Sequence, residues 1–490
     1  MDVVTQSAVV VGGGFGGMAA ALRLRRRGFE VLLIERGDQL GGRGRCYEWQ
    51  GFRHDAGPTV ITAPFLFEEL FGLFGEKLSD AVRLVELKPW YRYHFHDGLT
   101  FDYGGTLEET LSEIARISPE DRDGYLSLLG ESKRIFDVGF SELSDRPFDS
   151  LGSMVAQIPH LARLKSHRSV WDFVSRHITS DHLRRAFSIQ PLLVGGNPFN
   201  TTSVYSLIHY LERAWGVHFA MGGTGALVGA LAGLMERQGI SVRMHSTADQ
   251  IVFQGRRAVG VQLASGERIS ADLVVSDADA GHLYNHMIPS GKQPLQTRLK
   301  ARYGEYSMGL FVLYFGTMRQ YRDVAHHTIW LGKRYRGLLH DIFHRKALAQ
   351  DFSLYLHRPT ATDPSFAPEG CESFYVLCPV PNLSAGINWA EEGPRLRDRI
   401  VEALDETILP ELKSSITADF FKTPEDFHTE YLSHQGAGFS LAPVLTQSAW
   451  FRYHNKAEGL ENLYLVGAGT HPGAGLPGVL CSARILERYI

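Results

Sequence analysis

The residues best suited to chemistry stand at the start of the chain. Ala8-Val9-Val10-Val11 reads as a strand that runs directly into Gly12-Gly13-Gly14-Phe15-Gly16-Gly17, and a second strand, Val31-Leu32-Leu33-Ile34, ends on Glu35. Strand, glycines, helix and terminal acid in that order make a βαβ unit that binds a dinucleotide. Gly12 permits the tight turn, Gly14 lets the backbone approach a pyrophosphate, and Gly17 lets the helix pack on the strand. The phosphates then lie at a helix N-terminus, where free N–H groups and the dipole favour an anion. Glu35, about twenty residues past the glycines, is placed to accept hydrogen bonds from a ribose. Arg25-Arg26-Arg27 closes the intervening helix before Gly28 and reads as favourable charge at a helix C-terminus.

Two further glycine-rich segments bear on which dinucleotide is bound. Arg36-Gly37-Asp38 leads to Gly41-Gly42-Arg43 and then to Asp55-Ala56-Gly57-Pro58-Thr59. A nicotinamide dehydrogenase has no need of a second glycine pair and an arginine just past the acid. Near the other end, the strand Asn462-Leu463-Tyr464-Leu465-Val466 enters a turn running from Gly467 through Gly469 to Gly478 and Val479. Such a turn lets backbone amides reach a ligand, and a helix starting near Gly478 can aim its dipole at electron density on that ligand. Only a fold that joins residues 12 and 478 would use both. The arrangement resembles the FAD family that includes amine oxidases and carotenoid desaturases. By that resemblance, Gly42 and Arg43 run along the phosphate and ribityl chain, and the loop at Pro58 and Thr59 approaches the isoalloxazine. Phe15, Gly16, Arg36, Ala248, Gly467, Gly469 and Val479 complete the implied FAD contacts. Ala468 replaces the acid of the family's Gly-Asp motif, which leaves ribityl recognition there to backbone groups.

The elements that must position these residues fall into interleaved lobes. At 490 residues, 44% hydrophobic and with four cysteines, the chain can bury a large core without disulfides. Cys46, Cys371, Cys378 and Cys481 lack metal-ligand spacing and read as ordinary thiols. A net charge of −4 argues against general nucleic-acid binding. The N-terminus shows no secretory pattern, and the chain is expected to be intracellular. The longest uncharged stretch, Ser188 to Leu211, contains Gly195-Gly196-Asn197-Pro198 and reads as a buried loop and helix, not a membrane span. The fold class expected is α/β with α+β mixing. An FAD-binding domain spans 1–105, 220–289 and 455–490, a helical insert 106–219, and a substrate-binding domain with its own sheet 290–454. Residues 220–285 read as the second half of a two-dinucleotide fold. Met308–Phe315 reads as a central strand.

Several segments narrow the resemblance. Asp55–Thr62, Leu193-Val194-Gly195-Gly196-Asn197-Pro198-Phe199, Arg213-Ala214-Trp215-Gly216-Val217, Ala325-His326-His327-Thr328, Asp351–His357 and Pro443–Phe451 look like the bacterial phytoene desaturase family. The resemblance implies an FAD enzyme, peripheral on the cytoplasmic side of the cell membrane, that desaturates phytoene stepwise toward neurosporene or lycopene. Oxygen or a membrane quinone would take the electrons. The alternatives are a desaturase of a shorter diapophytoene or of a later carotenoid, or another flavin oxidoreductase of the amine-oxidase type. The stretch Met154–Arg168, with Arg163, Lys165 and Arg168, could lie in a membrane interface or be a plain surface helix.

Hydrogen removal from an unactivated CH₂–CH₂ pair needs a hydride acceptor and a dry, oriented site. No metal site and no base with an orienting partner stands out, and no catalytic residue is assigned. His326 and His327 read as structural. Trp215, Phe311, Tyr314, Phe315 and Trp450 could line a polyene tunnel, but each reads first as core.

Overall fold

The computed structural model describes residues 6–142, 145–148, 152 and 167–490. Ser7–Val11 is the centre of a five-stranded parallel sheet. Leu273–Ser276 and then Leu463–Leu465 lie on one side of it, Glu30–Ile34 and then Ser241–Arg243 on the other. A strand covered on both faces needs apolar residues at successive positions, which is what Ala8 to Val11 supply. Helices Phe15–Arg26, Gly223–Arg237 and Leu476–Leu486 share one apolar cluster with that sheet. Segments from the beginning, middle and end of the chain thus build one layer.

The second dinucleotide half expected at 220–285 is corrected by this topology. Two of its strands, Ser241–Arg243 and Leu273–Ser276, join the first sheet on opposite sides of its centre, while Ala248–Gln254, Arg257–Leu263 and Arg268–Ser270 form a separate antiparallel sheet. The reason is connection length. A turn at Gly255, with φ +60°, reverses the chain within two residues, whereas parallel strands need a crossover of a dozen or more.

The other large layer is a seven-stranded sheet ordered Ile416–Lys422, Gly309–Thr317, Glu372–Val380, Leu354–His357, His327–Leu331, Tyr91–Phe95, Thr100–Tyr103. Its last two strands come from within residues 1–105. Tyr91–Phe95 pairs parallel to His327–Leu331, a long-range pairing that local periodicity does not encode. Gly309–Thr317 is buried along its whole length, with alternate residues serving different neighbours. Phe311, Leu313 and Phe315 pack with Trp389 and Leu396 of helix Trp389–Asp405, while Leu310, Val312 and Tyr314 belong to a cluster on the other face.

Helices Leu107–Ile117, Asp121–Phe136, Val170–Ser175, Asp181–Phe187 and Leu207–Trp215 pack in one apolar cluster with the Tyr91–Phe95 and Thr100–Tyr103 end of that sheet. Thr106 and Glu109 close a capping box at the first of them. Among the described residues no helix is long and apolar enough to cross a membrane. Of the stretch Met154–Arg168, residues 154–166 lie outside the described residues, Arg163 and Lys165 among them.

Candidate active site

One cavity of about 600 Å³ runs from the glycine loops of the parallel sheet to the inner face of the seven-stranded sheet. Gly12, Gly14, Phe15, Gly16, Glu35, Arg36, Gly42, Arg43, Pro58, Thr59, Ala248, Gly467, Gly469, Gly478 and Val479 all line it. Gly17 does not. A Cβ there would drive into the carbonyl oxygen of Gly12, which makes Gly17 the close helix-to-strand contact. Gly12 turns the chain at φ +96°. The second glycine pair is stitched to the first, with the Gly41 N–H donating to the Gly13 carbonyl at 2.8 Å. The C-terminal turn closes on the same point. A Cβ on Gly16 would lie 3.0 Å from the Gly467 nitrogen.

These groups fit an FAD. The Glu35 carboxylate accepts the N–H groups of Gly13 and Gly37, both at 2.7 Å, and so stands fixed at the strand end with lone pairs to spare for a ribose. Arg43 donates to Ser433 Oγ at 2.5 Å, and its buried Nε finds no partner among the described residues, so the cavity contains an unspent donor suited to a phosphate. Arg36 is engaged elsewhere. Its Nη1 donates to the Thr429 and Glu430 carbonyls at 2.8 and 2.9 Å. The helix of the C-terminal turn starts at Leu476, two residues before Gly478.

Two side chains that hold this cradle were not legible in sequence. Asp277 follows the strand Leu273–Ser276, and a Cβ on Gly14 would come within 2.5 Å of its Oδ2. Burial pushes its carboxyl up to about 7, against hydrogen bonds from the Gly17 and Gly14 amides and the charge of Arg43, which pull it down. Arg452 is fully buried and donates to the Ala468, Thr470 and Leu441 carbonyls at 2.7, 3.2 and 3.2 Å. It pins the turn from the side where the family's acid is missing.

Beyond Thr59 the cavity wall carries a hydroxyl chain. Thr59 Oγ1 lies 2.9 Å from Tyr355 Oη and 3.2 Å from Tyr375 Oη, and Tyr355 Oη is hydrogen-bonded to His327 Nδ1 at 2.7 Å. Behind it, His326, His327 and His357 bring ring nitrogens within 4.8 Å of one another, and Asp55 Oδ2 sits 3.5 Å from His357 Nε2. His326 Nδ1 meets Thr362 Oγ1 at 2.8 Å. Desolvation holds all three imidazoles below their ordinary range, and therefore neutral. Histidines that seemed unpartnered in sequence thus form one cluster, because His357 pairs with His327 across adjacent strands. Asp55 lies in this cluster, with Oδ1 accepting from the Thr224 N–H at 2.8 Å, and does not line the cavity.

The aromatic expectations resolve toward core. Phe311, Tyr314, Phe315, Trp215 and Trp450 do not line the cavity. Phe311 and Phe315 face the opposite side of the sheet, and Trp215 packs with Phe65 and Phe136 at ring separations of 5.0 and 5.4 Å. The aromatics that do line it include Phe148, Tyr205, Tyr355, Tyr375, Phe427 and Phe439. Glu212 is the one fully buried carboxylate among the aliphatic lining residues of helix Leu207–Trp215.

A parallel glycine-loop sheet, a second, mixed sheet and a bridging cavity define a flavoprotein oxidoreductase. The chain belongs to the flavin containing amine oxidoreductase family, whose pattern it matches over residues 15–485, and its cofactor is FAD. Within that family it falls among the phytoene desaturases. It is 47% identical to the lycopene-forming phytoene desaturase of Pseudescherichia vulneris, over 97% of either chain. It is 41% identical to the neurosporene-forming enzyme of Rhodobacter capsulatus, over 99% of this chain and 93% of that one. In fold it is similar to cyclohexylamine oxidase from Brevibacterium oxydans, with a TM-score of 0.63 at 15% identity and 99% coverage of both chains.

Proposed function

We propose that this enzyme is a carotenoid desaturase that introduces double bonds stepwise into phytoene, toward neurosporene or lycopene. The observation that carries the reading is the continuity of the FAD cradle with a cavity whose far walls are aliphatic and aromatic, including Leu310, Val312, Ile329 and Leu377. A long hydrocarbon loses little by entering such a wall and gains by leaving water, at about 25 cal/mol per Å² of apolar surface. The chemistry FAD supplies when bound is acceptance of a hydride. Glu35, Arg43 and the glycine loops would hold its phosphates and ribose. Thr59 and the C-terminal turn would border its reactive end, and the apolar wall would orient the substrate and exclude water.

Similarity ranks the substrate lengths. Identity is 47% to a lycopene-forming enzyme and 31% to the 4,4'-diapophytoene desaturase of a Methylomonas species, which favours the longer substrate. The reading includes attachment to the cytoplasmic face of the cell membrane without crossing it, and oxygen or a membrane quinone as electron acceptor. It is supported by the insolubility of the substrate and by the basic, partly apolar stretch Met154–Arg168. Expression in a phytoene-accumulating bacterium tests it. Chromatography should show phytoene replaced by coloured polyenes, whereas unchanged phytoene would defeat the reading.

A further inference from the structure

We propose that His326, His327, His357 and Asp55 form a buried structural site for one zinc ion. None of the four lines the cavity, so the inference does not depend on which substrate enters it.

The case begins with polar atoms that have nothing to bond. All four side chains are buried, none more than 5% exposed. Five of their atoms, His326 Nε2, His327 Nε2, both ring nitrogens of His357 and Asp55 Oδ2, find no hydrogen-bond partner among the described residues. Each would be hydrogen-bonded in water, so leaving them together unmet is costly. The Asp55 carboxylate adds a charge to the defect. Among the described residues no lysine or arginine lies within ion-pair range of it, and its neighbour is His357 Nε2 at 3.5 Å. A buried carboxylate needs a cation beside it, and a divalent ion among the rings answers the charge and the vacant lone pairs at once.

The geometry suits such an ion. One ring nitrogen from each histidine comes within 4.8 Å of the others. Two ligands that share a tetrahedral zinc at about 2.0–2.1 Å stand roughly 3.4 Å apart, so the rings need draw in by only about 1 Å or so. Asp55 Oδ2 and His357 Nε2, at 3.5 Å, already stand at that separation. The outer contacts fix the rings in turn. His326 Nδ1 meets Thr362 Oγ1 at 2.8 Å and His327 Nδ1 meets Tyr355 Oη at 2.7 Å. With each Nδ1–H donating to its hydroxyl oxygen, the Nε2 lone pairs are left for a metal, which is how outer hydrogen bonds set the tautomer of ligand histidines. Desolvation keeps the rings neutral, the form that ligates. Three imidazoles and one carboxylate suit zinc, whereas calcium and magnesium take oxygen ligands.

The ligands come from separate segments. His326 and His327 begin the strand His327–Leu331, His357 ends Leu354–His357, and Asp55 ends Phe52–Asp55 just before the loop to Thr59. Asp55 Oδ1 also accepts from the Thr224 N–H in the first turn of helix Gly223–Arg237. An ion here fastens the seven-stranded sheet to the loop that borders the FAD cradle. Since the site has no open surface, the ion must be taken up as the chain folds and then held against chelators.

The test uses full-length, FAD-loaded enzyme from zinc-supplemented cells, passed over a chelating resin. Elemental analysis should find one zinc per chain, and X-ray absorption at the zinc edge should show nitrogen and oxygen ligands at about 2.0–2.1 Å. Unfolding in guanidinium chloride with a colorimetric zinc indicator should release that equivalent. His357→Gln and Asp55→Asn should each carry about tenfold less zinc or lower still, and should melt at a lower temperature than wild type. His96→Gln, at an exposed histidine outside the cluster, should keep its zinc. Wild-type enzyme with less than about a tenth of an equivalent of zinc overturns the proposal, and that measurement does not depend on whether a variant folds. Zinc retained in full by both His357→Gln and Asp55→Asn overturns it as well, because the ion would then be bound elsewhere.

Discussion

At the scale of the residue, the cradle is defined by what cannot be added and what is not neutralised. A Cβ on Gly14 meets the Asp277 carboxylate at 2.5 Å, and the larger side chain of Gly14→Val would fill the groove intended for the pyrophosphate. Gly14→Val should purify colourless and inactive, and flavin absorbance retained at wild-type stoichiometry would refute the placement. Asp277 makes a second prediction through linkage. Its folded carboxyl is raised from 3.8 to about 7, so the folded apoprotein holds a proton that the unfolded chain releases between about pH 4 and pH 7. Stability falls as pH rises through that window. Asp277→Asn removes the slope, and the stability difference between variant and wild-type apoprotein should grow by up to about 4 kcal/mol from pH 4 to pH 8. Urea unfolding at the two pH values checks this, and a difference independent of pH would contradict it. The histidines carry a third. His326, His327 and His357 do not line the cavity, so glutamine variants that keep their FAD should lose less than about tenfold in turnover, against the 10²–10⁴ expected for a base. A thousandfold loss in a flavin-replete variant would make that histidine the base.

At the scale of the element, the sequence was most informative where one local pattern specifies one structure. The strand-glycine-helix unit at 8–35, the buried strand at 309–317 and the final turn and helix are read directly, because each depends on residues adjacent in the chain. Asp277 and Arg452 were not legible. Each is an ordinary charged residue in sequence and becomes important only when strands or helices distant along the chain close around it. The same holds for strands Tyr91–Phe95 and Thr100–Tyr103, whose membership of the second sheet is decided by a parallel pairing more than two hundred residues away. The basic stretch at 154–168 carries a prediction at this scale. Reversing charge at Arg163, Lys165 and Arg168 should weaken co-sedimentation with anionic liposomes, most clearly at low salt where screening is least. Unchanged binding would move the docking surface elsewhere.

At the scale of the whole molecule, two layers divide the labour. The parallel sheet and its returning C-terminal turn make the polar end of the cavity, and the seven-stranded sheet with the helices makes the apolar end. Interleaving the chain through both layers fixes their spacing, which is what positions a flavin against a hydrocarbon that offers no polar handle. The central claim is that the flavin is reduced by a polyene hydrocarbon. It is tested most directly by mixing oxygen-free, FAD-loaded enzyme with phytoene in vesicles and following both absorbances in one single turnover. Bleaching of the flavin band together with one new double bond per flavin is the result predicted. A flavin that stays oxidised with phytoene and bleaches with an amine would contradict it.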